Sequence, residues 1–287
     1  MRAYSDTLTI DINSKGVLDV DTVKGCTFGI AAHGEKGCYQ GCYAAAIAKF
    51  RGIDFSKAVV RKVKGRAQAK QIEKRVKAAP LGFFRIGTMG DPCHSWNETV
   101  STVEWLAPFA TPVIITKHWQ KMTDDHMQEL VMAGAILNTS VSALDTQKQL
   151  ARRENELIRY EDFGGVSVAR VVSCDFNRET EQGASMAQVQ ERLLKYRCVI
   201  DNPLRIAATH ELVKAGVIKL RKVQDLISVR NISIAEDSKT YIGHCNGCTE
   251  LCGLGFIKQP AYKPDGKQSD FFNKREENGN QCQTNIN

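Results

Sequence analysis

No apolar run in this 287-residue chain approaches the roughly 20 residues that a membrane-spanning helix needs. The opening stretch Met1-Arg-Ala-Tyr-Ser-Asp6 also lacks the apolar core of a secretory signal, so the expectation is a cytoplasmic protein with no membrane partner. There is no internal repeat beyond an alternation of strand-like and helix-like segments. Hydrophobic residues make up 43% and charged residues 25%, which is ordinary globular composition, and the length allows one large domain or two small ones.

Ten cysteines would be a disulfide framework in a small secreted protein. In a long chain without a signal they point to metal binding or redox chemistry. Cys26, Cys38 and Cys42 form one group, and Cys245, Cys248 and Cys252 another. Cys93, Cys174, Cys198 and Cys282 are scattered, as small buried apolar residues often are. The first group is separated by eleven and then three residues and has no second close pair nearby. Zinc modules normally carry two close pairs, so zinc here would need His33 or a remote ligand. Three thiolates on a Gly-rich loop suit an iron–sulfur cluster whose fourth iron stays open. The second group has the tight Cys245-Asn-Gly-Cys248 turn. With His244 or Cys282 as a fourth ligand it could hold zinc or another iron–sulfur cluster.

The net charge of +7 is unevenly placed: eleven Lys or Arg residues lie between Lys49 and Lys77, against only Asp54 and Glu73. Such a segment suits a polyanion, nucleic acid among them, or is a solvated helix face. The pattern predicts a helix over 44–50 and a longer one over 55–79, interrupted at Gly65. Strands follow at 83–87, 112–116, 135–140, 166–172 and 198–200, the last extended or joined by 204–207. Helices lie between them at about 98–109, 124–133, 146–160 and 185–196. The strands are apolar on both faces, as buried parallel strands are. The expected fold is α/β, a partial (β/α)6 TIM-like barrel over 1–230, with a Cys-rich metal-binding extension and a weakly packed polar tail over 231–287. In such a barrel the site is built at the C-terminal strand ends.

Gly37-Cys-Tyr-Gln-Gly-Cys-Tyr-Ala44, followed at once by a helix, resembles the cysteine loop of the radical S-adenosylmethionine (SAM) superfamily. The resemblance continues in Arg85-Ile-Gly-Thr-Met-Gly-Asp-Pro92, Ile115-Thr-Lys117 and Asn138-Thr-Ser140, and spans roughly Lys24 to Leu204. The family loop usually spaces its cysteines by three and then two residues. The wider spacing here is similar to variant, phage-encoded members, and makes Cys26 the third ligand. The resemblance implies a [4Fe–4S] cluster on Cys26, Cys38 and Cys42, with SAM on the open iron. It also implies reductive cleavage to a 5′-deoxyadenosyl radical, and a reductase or flavodoxin-type electron donor.

Gly87, Thr88, Gly90 and Asp91 stand where the family binds the methionyl part of SAM. Glycines permit close backbone approach, and Asp91 could accept from the SAM amine. The bland reading is a strand-to-helix turn stopped by Asp91-Pro92. Asn138 and Ser140 are placed for the ribose. Lys117 could pair with a carboxylate or phosphate. Cys93 could donate hydrogen to a substrate radical or be an inert thiol. Arg170 breaks an apolar strand, which implies either a carboxylate or phosphate ligand, or a salt bridge to Asp175 or Glu179. The expected function is a radical SAM enzyme acting on a nucleotide or nucleic-acid base, flipped out if it comes from a duplex. The competing expectation is a non-enzymatic zinc protein that binds nucleic acid. A conventional barrel hydrolase or aldolase lacks a convincing acid–base pair.

Overall fold

The computed structural model describes residues 1–30, 37–38, 41–224, 229–233 and 243–257. His33, Cys282 and the polar tail lie outside the described residues. The chain opens with short strands β1 (Asp11–Ile12), β2 (Leu18–Asp19) and β3 (Val23–Lys24), then helix α1 (Tyr43–Phe50), β4 (Val59–Val60) and α2 (Arg66–Lys77). Strands and helices then alternate through β5 (Phe83–Ile86), α3 (Trp96–Leu106), β6 (Thr111–Thr116), α4 (Asp124–Met132), β7 (Ile136–Val141), α5 (Gln147–Asp162), β8 (Val166–Ser173), the short β9 (Asp175–Phe176), α6 (Glu181–Leu193) and β10 (Val199–Arg205). Last come α7 (Glu211–Lys214), β11 (Ile218–Lys219), β12 (Arg221–Gln224), β13 (Val229–Ser233) and α8 (Leu254–Ile257).

The central sheet has nine strands in the order β1-β2-β5-β6-β7-β8-β10-β13-β12. Strands β2, β5, β6, β7, β8 and β10 run parallel, and antiparallel strands close each edge. From β1 to β10 the order advances in one direction, β13 and β12 follow in reverse at that edge, and the two edges do not pair, so the sheet stays open.

Period-2 alternation sorts the strand residues onto two different faces. Phe84, Ile86, Ile114 and Leu137 pack with Ile72 and Val76 of α2, Val100 and Val103 of α3, and Met127 and Leu130 of α4. Val141, Ala169 and Val171 continue that face against Leu150 and Leu157 of α5 and Leu193 of α6. The register pairs these residues in rows across the strands, so the helices α2 to α6 all cover one face. Side-chain caps from Thr123, Thr146 and Thr180 start α4, α5 and α6, and Thr146 forms a full capping box with Gln149.

The opposite face carries Phe83, Val113, Ile136, Val168 and Ile200, and these pack against Val17 and Leu254. Leu254 belongs to the segment 243–257, which lies against this face. Gly253 approaches the side chains of Ile136 and Val168, and Asn138 Nδ2 donates to the Cys252 carbonyl at 2.9 Å. The Cys-rich segment therefore shares a core with the sheet, and β13, paired to β10, crosses residue 230.

One expected element differs. Residues 55–64 are not helical, because β-branched Val59–Val60 pairs antiparallel with Val23–Lys24, and only 66–77 winds into a helix after Gly65. Extended pairing satisfies the backbone there, and it ties the basic segment to the strand that precedes Cys26. Among the described residues no helix is long and apolar enough to cross a membrane.

Leu254→Ala tests whether the C-terminal segment belongs to the core. Loss of a buried side chain from this cluster is expected to lower stability by about 2–4 kcal/mol in urea unfolding. A change below about 0.5 kcal/mol, typical of surface sites, would mean that the segment only rests on the sheet.

Candidate functional site

The face of the sheet left free by the helices opens into a cavity of about 900 Å³. Its wall takes residues from the C-terminal ends of the strands: Gly87 to Asp91 after β5, Thr116 and Lys117 at β6, Ser140 and Ser142 at β7, Arg170 at β8 and Asn202 at β10. Cys26, Cys38 and Cys42 line it from one side, and Cys245, Cys248 and Cys252 from the other. The two cysteine groups, far apart in sequence, thus face one space.

The start of the first loop, Gly25 to Phe28, is held by backbone and ring contacts. Gly25 pairs with Gly90 as a parallel bridge, and Gly25 N donates to Met89 O at 2.9 Å. Contact is so close that a Cβ on Gly90 would lie 2.5 Å from Val23 O. Gly87 has φ +95, and a Cβ there would meet Ile115 O at 2.0 Å. Both glycines are therefore required for steric reasons. Cys26 N donates to Phe55 O at 2.8 Å, and Phe28 stacks on His94 (4.2 Å between ring centres) and on Trp119 (5.9 Å). His94 Nε2 also accepts from Thr27 N at 3.2 Å.

Asp21 holds the facing turn. Its carboxylate accepts from Gly87 N (2.9 Å), Thr88 N (2.8 Å), Thr88 Oγ1 (2.7 Å) and Met89 N (3.0 Å), and it is only 2% exposed. Tyr43, the first residue of α1, donates its hydroxyl to the Thr88 carbonyl. Strand end, cysteine loop and turn therefore form one hydrogen-bonded unit.

Cys42 is the N-cap residue of α1, and the main-chain N–H groups of Ala44 and Ala45 favour its thiolate form. Cys38 donates its S–H to Cys42; this raises the Cys38 thiol above its ordinary value and holds Cys42 below it. Burial pushes the Cys26 thiol up to about 12. Lys117 and Arg153 place positive charge near Cys38. Arg153 is wholly buried, pairs with Asp145, donates Nε to Lys117 O at 2.8 Å and lies 4.9 Å over the Trp119 ring. Burial pulls the Asp145 carboxyl upward, but Lys117 and Arg153 outweigh it and hold it below its usual range. Thiols beside main-chain N–H groups and fixed cations are a soft, anion-stabilising donor set of the type iron–sulfur clusters and zinc take. As they stand, no three His, Cys, Asp or Glu side chains among the described residues converge as a metal-ligand group.

The other expected residues divide clearly. Gly87, Thr88, Gly90, Asp91, Lys117, Ser140 and Arg170 reach the cavity wall. Asp91 is engaged, accepting from Cys93 N (3.1 Å), Thr116 Oγ1 (2.7 Å) and Lys117 N (2.9 Å), so it caps the turn and ties it to β6. Lys117 lies 3.5 Å from Asp145. Arg170 pairs with neither Asp175 nor Glu179; it donates to Asn202 Oδ1 at 3.0 Å. Asn138 is fully buried under the C-terminal segment, where it holds Cys252, and does not reach the cavity. Cys93 also lies off the wall, packed in the helix-side core, where burial pushes its thiol well up. The α2 part of the basic segment lines no part of the cavity, because α2 packs behind the sheet through Ile72 and Val76. Arg61 turns inward to Thr9 Oγ1 at 2.6 Å and the Asp21 carbonyl at 3.3 Å.

Asp21, His94, Trp119, Asp145 and Arg153 were not singled out by sequence. Asp21 had a signal, since Asp19 and Asp21 alternate with Leu18 and Val20 and so share the face away from the helices. Comparison with known family models, curated proteins and solved structures finds no match to this chain.

Replacing Asp21 tests the hydrogen-bonded unit. Asp21→Ala should cost about 2–4 kcal/mol in urea unfolding, because three buried N–H groups and a hydroxyl lose a charged acceptor. Asp21→Asn should cost nearly as much, since its NH2 would face donors. A loss under about 1 kcal/mol for both variants would mean that the turn holds without this carboxylate.

Proposed function

We propose that this chain is a radical SAM enzyme built on a partial (β/α) barrel. The observation that carries the reading is the meeting of two separate segments at one cavity mouth. The loop with Cys26, Cys38 and Cys42 is bridged through Gly25 and Gly90 to the Gly87–Asp91 turn, at the C-terminal ends of parallel strands. The open sheet whose strand order steps one way from β1 to β10, with its crossover helices on one face, is the arrangement a partial barrel has.

In this reading Cys26, Cys38 and Cys42 hold a [4Fe–4S] cluster and leave one iron for SAM. When bound, such a cluster would supply the one electron needed to break the C5′–S bond of SAM, with methionine as the leaving group, and so the chemistry for hydrogen abstraction from a substrate. The chain's own residues bind and orient. The Gly87–Asp91 turn, held in place by Asp21, forms the cavity wall that would seat the methionyl part of SAM. Lys117 places a cation beside Cys38, where an anionic cluster and a SAM carboxylate both gain from it. The buried core behind β5 and β6 keeps water from the back of the turn. Cys245, Cys248 and Cys252, with His244 or Cys282, form the second metal set, for zinc or an auxiliary cluster. The substrate is a nucleotide or nucleic-acid base, and a reductase or flavodoxin-type protein supplies electrons.

Purification without oxygen, followed by iron and sulfide analysis and a dithionite-driven SAM cleavage assay, tests this. The expected result is stoichiometric iron and sulfide with release of 5′-deoxyadenosine. Ala in place of Cys26, Cys38 or Cys42 should abolish release, while Cys248→Ala spares it if the second metal is structural. A zinc-loaded, iron-free protein that leaves SAM intact after reduction would instead favour the zinc protein that binds nucleic acid.

A further inference from the structure

The free face of the sheet is apolar along its lower half, through Phe83, Val113, Ile136 and Val168. Its upper half, across three adjacent strands, is polar in a particular way. Ser140 on β7 lies directly beside Arg170 on β8 in the parallel register, and Arg170 donates to Asn202 on β10 at 3.0 Å. All three residues line the cavity.

Their hydrogen-bonding capacity is one-sided. The Asn202 carbonyl oxygen is used by Arg170, which leaves its NH2 group as the free end. Arg170 has one of its five donors committed, and among the described residues it makes no ion pair within 4 Å. The Ser140 hydroxyl makes no hydrogen bond among the described residues and can donate. Two acids share this wall: Glu250, on the segment facing the sheet, and Asp201, next to Asn202 on β10. A guanidinium with uncommitted donors, flanked by an amide NH2 and a hydroxyl at the base of a cavity, can hold an anion.

We propose that Ser140, Arg170 and Asn202 bind a phosphate group of the substrate, so that the substrate is a phosphate-bearing nucleotide rather than a free nucleoside or base. Strands lie roughly 4.8 Å apart, so the trio spans nearly two strand spacings. Three separate donor groups suit a tetrahedral anion with three terminal oxygens better than a planar carboxylate with two. The proposal deepens the reading of this cavity as a substrate site, but the phosphate contact itself needs no cluster. The phosphate comes either from a free mononucleotide or from the backbone of an extruded one.

Isothermal titration calorimetry on the full chain tests it, whatever the iron content. The probes are inorganic phosphate, the four 2′-deoxynucleoside 5′-monophosphates, the matching nucleosides and a short single-stranded oligonucleotide; SAM is titrated separately. At least one monophosphate, or the oligonucleotide, should bind about tenfold or more tightly than the nucleosides. Arg170→Gln should remove most of that advantage and leave SAM affinity unchanged, while Arg170→Lys, which keeps the charge but loses the fork, keeps part of it. Thermal melting of both variants shows that they are folded, and Asn202→Ala should give a smaller loss in the same direction. Equal binding of nucleosides and phosphates, or phosphate binding indifferent to Arg170, would overturn the proposal. So would an Arg170→Gln protein that loses SAM and keeps phosphate, since the anion held would then be the SAM carboxylate. The SAM cleavage assay is a separate measurement, so failure of the radical reading and failure of this contact are distinguishable.

Discussion

The site depends on one buried carboxylate. Asp21 sits at the end of the strand-like stretch that leads into Cys26, and accepts hydrogen bonds from three successive residues of the turn after β5. A buried charge is costly unless it is fully bonded, so this carboxylate is stable only while the turn is wrapped around it. The converse also holds, because the main-chain donors of Gly87, Thr88 and Met89 need an acceptor there. This mutual requirement keeps the cysteine loop in register with the turn. The Gly25–Gly90 bridge and the Phe28–His94–Trp119 stack then extend the contact to both sides.

The sheet divides the labour between its faces. Helices α2 to α6 bury one face completely and supply most of the apolar core. Among the described residues the other face is covered over its lower half by Val17 and by the segment 243–257, through Leu254 and the Asn138–Cys252 hydrogen bond, and is open above. That segment has a structural and a chemical side, since the same turn that seats Leu254 also presents three thiols to the cavity. The second cysteine group is therefore a wall of the site and not a distant appendage.

Much of this was legible in sequence. Short apolar runs alternating with amphipathic helices marked every element from β5 to β10 except the two-residue β9, the cysteine groups announced themselves by spacing, and the Gly-Thr-Met-Gly-Asp turn by its resemblance. What escaped notice was set by tertiary contact. Residues 55–64 are rich in charge and carry helix formers, yet Val59 and Val60 pair with β3. Asn138 sits on the right face of β7 for a ligand, but the C-terminal segment arrives over it from more than a hundred residues away. Cys93 follows the turn directly, yet the 3₁₀ turn at Pro92–Ser95 rotates it into the helix-side core. Arg153 lies on a helix and reads as surface charge, but Asp145, the Lys117 carbonyl and Trp119 together accept it in the interior. Each miss concerns a partner distant in sequence, which local pattern does not encode.

The central claim is that three cysteines hold a four-iron cluster with one iron left open beside the Asp21-held turn. Mössbauer spectroscopy of ⁵⁷Fe-loaded protein, recorded with and without SAM, addresses it most directly. The account predicts one iron site distinct from the other three, whose isomer shift moves when SAM is added. A spectrum in which all iron sites are alike and indifferent to SAM, or one lacking a four-iron cluster, would contradict it.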